Sequence, residues 1–136
     1  MRHFTFVLEC TLLIIAGSAS AQAQGPAAWT GVWQGLLDGQ PSVTLTLAED
    51  SGELAGTVVL NIISREGGQP HVIGLEPHVL VRPHVENNKL SFELRRIDKS
   101  SEPMNFTVVR SSDDKARIHC LNCGVEAPIV DLVKAH

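Results

Sequence analysis

The densest group of reactive side chains is His119-Cys120-Leu121-Asn122-Cys123-Gly124, which holds two of the chain's three cysteines. Two thiols three residues apart have three chemical uses: a disulfide, a pair of ligands for a soft metal, or a redox couple. On an extended strand their Cα atoms would stand about 10 Å apart, beyond the ~7 Å a disulfide tolerates, so a bond requires a turn. Asn122 and Gly124 are residues that permit one. A redox centre favours a thiol at a helix N-terminus, whereas Ala127-Pro128-Ile129-Val130 reads as a strand. Zinc would draw on His119, Cys120 and Cys123, with the terminal His136 as the next candidate, and a single Cys-x-x-Cys without a second is weak evidence for it. A structural disulfide between Cys120 and Cys123 leads, with metal and redox uses as the alternatives.

A second candidate is a repeat: Pro70-His71-Val72, Pro77-His78-Val79 and Pro83-His84-Val85. Three histidines in one stretch invite a metal reading. On a continuous strand, however, His78 and His84 would lie about 20 Å apart at ~3.3 Å per residue. Proline cannot donate to a central ladder, so this stretch is expected as an edge strand or a loop excursion with exposed histidines. No Gly-x-Ser-x-Gly elbow, His-Glu-x-x-His or phosphate-cradling Gly-x-x-x-x-Gly-Lys occurs. The reading is accordingly not an enzyme, with no catalytic residue, no metal and no cofactor. Asn105-Phe106-Thr107 is a formal glycosylation sequon, read as a coincidence within a strand.

The disulfide reading depends on compartment, and the N-terminus speaks to that. Met1-Arg2-His3 leads into an apolar run best developed from Cys10 to Ala16, followed by Ser18-Ala19-Ser20-Ala21-Gln22-Ala23-Gln24. Small residues at −3 and −1 occur in Ala19-Ser20-Ala21 and again in Ala21-Gln22-Ala23, so residues 1–23 read as a signal peptide. The apolar run is shorter than the ~20 residues of a membrane span. Glu9 before Cys10 also disfavours lipid attachment. The expected protein is exported, periplasmic or extracellular, without stable membrane insertion once the signal is removed. Residues 24–28 read as a linker and 29–136 as one domain.

Period-two patterning runs through that domain. Val43, Leu45 and Leu47 alternate with Thr44 and Thr46, and Leu90, Phe92 and Leu94 alternate with Lys89, Ser91 and Glu93. Turn residues separate such runs at Glu49-Asp50-Ser51-Gly52, Arg65-Glu66-Gly67-Gly68, Asn87-Asn88 and Ser111-Ser112-Asp113-Asp114. Asn87-Asn88 reads as a two-residue hairpin loop. Strands are expected near 30–37, 42–48, 54–63, 72–82, 89–97, 103–110, 115–120 and 128–134. The fold class is all-β, a short antiparallel up-and-down barrel of about eight strands. A 136-residue chain with 43% hydrophobic and 19% charged residues suits one core. Its formal net charge of −4 argues against nucleic acid as a partner. The pair Arg95-Arg96 reads as a solvated strand end.

Trp29-Thr30-Gly31-Val32-Trp33 contains a Gly-x-Trp that resembles the first barrel strand of lipocalins and avidins, the calycin-type barrels. Gly52-Glu53-Leu54-Ala55-Gly56-Thr57 is similar to the Gly-x-Leu-x-Gly-Thr hairpin of avidin-type proteins. The resemblance covers about a quarter of the chain. It implies that Gly31 and Trp33 close the barrel floor, and that Lys134 takes the place of the basic last-strand residue that packs over the tryptophan in lipocalins. Lysine there lacks the planar stacking of arginine. Biotin binding is not implied, because no Trp follows Trp33 and the chain has no Tyr.

The leading functional expectation is a barrel that holds a small, largely apolar molecule, its ligand-binding residues unknown. The alternative is a packed structural or protein-interaction domain whose contact surface is the segment 70–85, its protein partner unknown. An enclosed pocket of about 300 Å³ or more would favour the ligand.

Overall fold

The computed structural model describes residues 25–98 and 102–136. The expected signal peptide, including Cys10, lies outside the described residues. One turn of 3-10 helix, Pro26–Trp29, opens the described chain. Nine antiparallel strands follow: β1 Gly31–Leu37, β2 Gln40–Asp50, β3 Glu53–Ser64, β4 His71–Val79, β5 Val81–Glu86, β6 Lys89–Leu94, β7 Met104–Arg110, β8 Lys115–Cys120 and β9 Val130–Lys134. They form a single sheet in the order β4-β3-β2-β1-β9-β8-β7-β6-β5, curled into a half-barrel.

Tight turns keep neighbours antiparallel. Ser51 and Gly52 both take positive φ, 53° and 82°, between β2 and β3, as a two-residue hairpin that follows the strand twist requires. Asn87 takes φ 56° at the β5–β6 turn, where Asn is the residue that tolerates it. A further two-residue turn, Asp38-Gly39, joins β1 to β2 with both residues at positive φ.

The expected strand at 72–82 proves to be two strands. Leu80 interrupts it, and Arg82 at φ 48° marks the irregular register of β5 against β6. The upper part, β4, therefore pairs with β3, while β5 pairs with β6. The two sheet edges are neighbours in sequence, joined at Leu80, whose N–H donates to the Gly56 carbonyl at 3.0 Å. The strand expected at 89–97 ends at Leu94, and that expected from 128 begins at Val130.

Inward positions build one core. Trp33, Leu45, Val58, Leu90, Leu94 and Val108 have essentially no exposed surface. Phe92 and Phe106, directly paired on β6 and β7, stack with centroids 5.5 Å apart. Of residues 24–28, expected as a linker, Ala28 lies in the 3-10 turn and joins the core with Trp29.

Candidate functional site

The half-barrel has a filled end and an open end. At the filled end, the 3-10 turn swings Trp29 beneath the strands, and Trp33 Nε1–H donates to the Trp29 carbonyl at 2.9 Å. This removes the cost of burying an indole N–H without a partner. Lys134 pairs with Trp33 across β1 and β9, and its Nζ lies 5.5 Å from the Trp33 ring centroid. Gly31 permits that approach, since a Cβ there would sit 2.9 Å from Lys134 Cε. The structure thus brings Gly31, Trp33 and Lys134 together. It adds Arg110, whose guanidinium carbon lies 5.7 Å from the Trp29 ring and whose Nη1 donates to the Ala28 carbonyl at 3.1 Å. Arginine suits that position because its planar group can face a ring while donating hydrogen bonds. Sequence pattern could not have singled out Arg110, because its ring partner is eighty-one positions earlier in the chain.

At the open end lies a cleft of about 630 Å³. Val43 and Leu60, directly paired on β2 and β3, form one wall, and Phe106, Ile118 and Val130 from β7, β8 and β9 form the other. Ser42, Asn61 and Glu126 supply its polar side chains. Gly35 helps bring β1 and β9 close: a Cβ there would stand 2.6 Å from Val130 Cγ1 and 2.8 Å from the Asp131 carbonyl.

The cysteine segment makes the lip of this cleft. Cys120 and Cys123 are bonded, with Cα atoms 5.6 Å apart, and both line the cleft with Gly124 to Pro128 of the β8–β9 connection. Asn122 holds the turn against β7 by accepting from the Asn105 N–H at 2.8 Å and donating to the Pro103 carbonyl at 2.9 Å. Leu121 N–H donates to the Asn105 carbonyl at 2.7 Å. Arg96 reaches the same turn through a 3.4 Å contact to the Asn122 carbonyl, so it is half-buried rather than a freely solvated strand end. The signal for Asn122 was its place between two cysteines. Its partners lie on another strand.

His119, the first zinc candidate, alternates to the face opposite Cys120 and lies across from Thr107. His136 follows the far end of β9, away from Cys120. The candidate set is therefore split, and among the described residues no group of three or more His, Cys, Asp or Glu is placed to hold a metal.

The expectation of exposed histidines at 70–85 needs one correction. His84 is exposed, with 68% of its side-chain surface accessible, and His71 is exposed too. His78 has only 9% of its side chain accessible, because it pairs with Val58 and shares its inward face. Its Nε2 is buried without a hydrogen bond and lies 3.6 Å from Glu76 Oε2. The break at Leu80 removes the continuous strand that would have aligned His78 with His84.

Comparison of the chain with protein-family models, curated proteins and solved structures found no match. No helix among the described residues is long and apolar enough to cross a membrane.

Proposed function

We propose that this is an exported binding module, periplasmic or extracellular, that holds one small, largely apolar molecule in the open end of its half-barrel. The observation that carries the reading is the cleft itself. It is an open cleft rather than the enclosed pocket expected from the sequence, and its volume of about 630 Å³ falls within the ~300–1,000 Å³ typical of small-molecule sites. Apolar side chains on both walls offer burial to a hydrocarbon ligand, and the few polar groups at the rim offer orientation. The calycin-type relationship of Gly31-Val32-Trp33 belongs to the same proposal, as does a barrel-closing role for Gly31, Trp33 and Lys134. It requires no catalysis, cofactor or nucleic-acid partner.

Native mass spectrometry of gently purified protein is expected to show an apolar adduct at one per chain. A neutral fluorescent probe such as N-phenyl-1-naphthylamine should brighten on addition to stripped protein and be displaced by the extracted ligand. Bare protein that also leaves the probe dark would sink the reading. The competing interaction-domain reading draws on a different feature, the exposed apolar side chains Ile73, Leu75 and Val79 on β4.

A further inference from the structure

The two sulfurs of the cleft lip stand in unlike surroundings. Cys120 ends β8 on the inward face, 6% exposed, with Phe106 of β7 as its direct cross-strand partner. Cys123 is exposed, and both residues line the cleft. A disulfide opens when a thiolate attacks one sulfur and the other leaves, so access decides which sulfur is attacked. Here the core encloses Cys120, whereas Cys123 is open to solvent and to the cleft. The neighbouring amide also favours the opened state. Asn122 Oδ1 lies 3.7 Å from Cys120 Sγ and is held in place by accepting from the Asn105 N–H at 2.8 Å. A reduced Cys120 has a proton to donate to that oxygen, and a bonded one has none. The lip beyond is lightly held. Among the described residues 124–129, the backbone hydrogen bond outside the strands runs from Ala127 N–H to the Gly124 carbonyl at 3.3 Å, and both its ends belong to the lip.

We propose that Cys123 is a thiol-exchange site for a small thiol with an apolar body, which the cleft presents to its sulfur. The ligand's thiolate sulfur bonds to Cys123 Sγ as the bond between Cys120 and Cys123 breaks. Cys120 leaves with the electron pair and takes up one proton, matching the one the ligand gave up. The products are a mixed disulfide on Cys123 and a free Cys120 thiol, so no separate oxidant or reductant is consumed. Return attack by Cys120 releases the ligand and restores the bond. Because the ligand supplies the attacking thiolate, Cys123 needs no helix N-terminus to activate it. Val43, Leu60, Phe106, Ile118 and Val130 set the preference for an apolar body, since a thiol seated among them has a raised local concentration beside Cys123. That preference rests on the apolar-ligand reading of the cleft, and the choice of Cys123 over Cys120 does not.

The oxidised protein is incubated with butanethiol or with mercaptopropanol, an alkanethiol of similar acidity that carries a polar end. Acid quenching, alkylation of free thiols in denaturant and tandem mass spectrometry then place every group and keep Cys10 apart from the pair. Butanethiol is expected on Cys123, with the alkylating label on Cys120. It should open the bond about tenfold or more faster than mercaptopropanol does, through its higher local concentration in the cleft. Filling the cleft with N-phenyl-1-naphthylamine should erase that advantage. Butanethiol found on Cys120 overturns the proposal, as does a bond that neither thiol opens in the folded protein. Equal rates for the two thiols overturn it as well: if the probe still brightens, the cleft reading stands alone, and if the probe stays dark, both fail.

Discussion

Leu45 and Leu75 sit on period-two strands of the same sheet, yet Leu45 has no exposed surface and Leu75 has 64%. The row that contains Leu45 runs Trp33, Leu45, Val58, His78 across β1 to β4, all on the inward face. The adjacent outward row runs Gln34, Thr44, Val59, Pro77. Along both rows polarity changes hands toward the edge. Inward positions pass from tryptophan to histidine, and outward positions from glutamine to proline. Near β1 the curled sheet has an opposite wall and a tryptophan floor to pack against. At β4 the inward positions carry Glu76 and His78, with 35% and 9% of their side chains accessible. Period alone sets which residues share a face, and the presence of a facing wall decides what that face is worth.

This contrast breaks down most visibly if the filled end is emptied. Trp33→Ala removes a fully buried indole, its hydrogen bond to Trp29 and the surface on which Lys134 lies. Chemical denaturation should show a loss of about 3–5 kcal/mol. A loss under 1 kcal/mol would mean that the floor does not hold the barrel.

An intermediate effect belongs to the cleft lip. Replacing Cys120 and Cys123 together with Ser should cost less than the ~3 kcal/mol of a 15-residue loop, because closing so short a loop restrains the unfolded chain little. Thermal melting should fall modestly with the strands retained, and reductant should reproduce the shift in wild type but not in the double variant. Thiol titration of denatured, unreduced protein checks the bond itself, and two free thiols per chain from the 120–123 segment would contradict it.

The smallest effect is expected on the outer face of β4. Ile73→Ala should change stability by no more than about 0.5 kcal/mol, because the side chain is mostly in water already. Ile118, 2% exposed, serves as the reference, since truncating a buried isoleucine costs about 2–5 kcal/mol. Similar losses at the two positions would show that β4 is covered.

Much of the architecture was legible in local pattern. The alternation at 42–48 and 89–94 matches β2 and β6, and the turns at Ser51-Gly52 and Asn87-Asn88 fall where residues that accept positive φ occur. Proline in the 70–85 segment pointed to a sheet edge, and β4 and β5 are the two edges. The cleft was not legible. Its walls come from Val43 and Leu60 on one side and Phe106, Ile118 and Val130 on the other, and no local window contains both. Arg110 escaped notice for the same reason, and Asn122, legible as a residue that permits a turn, found its partners Asn105 and Pro103 only in the fold.

By itself the sequence determined those features that a few neighbouring residues settle through backbone preference and side-chain period: an all-β chain, its tight turns, and a cysteine pair close enough to bond across a turn. Only the tertiary structure decided the direction each face looks, that the strand beginning at His71 breaks at Leu80, and that the His78 side chain is largely enclosed while His71 and His84 are exposed. The reason is physical. Alternation has two equivalent senses, and the choice between them depends on which surfaces the curling sheet brings together, an interaction between segments far apart in the chain.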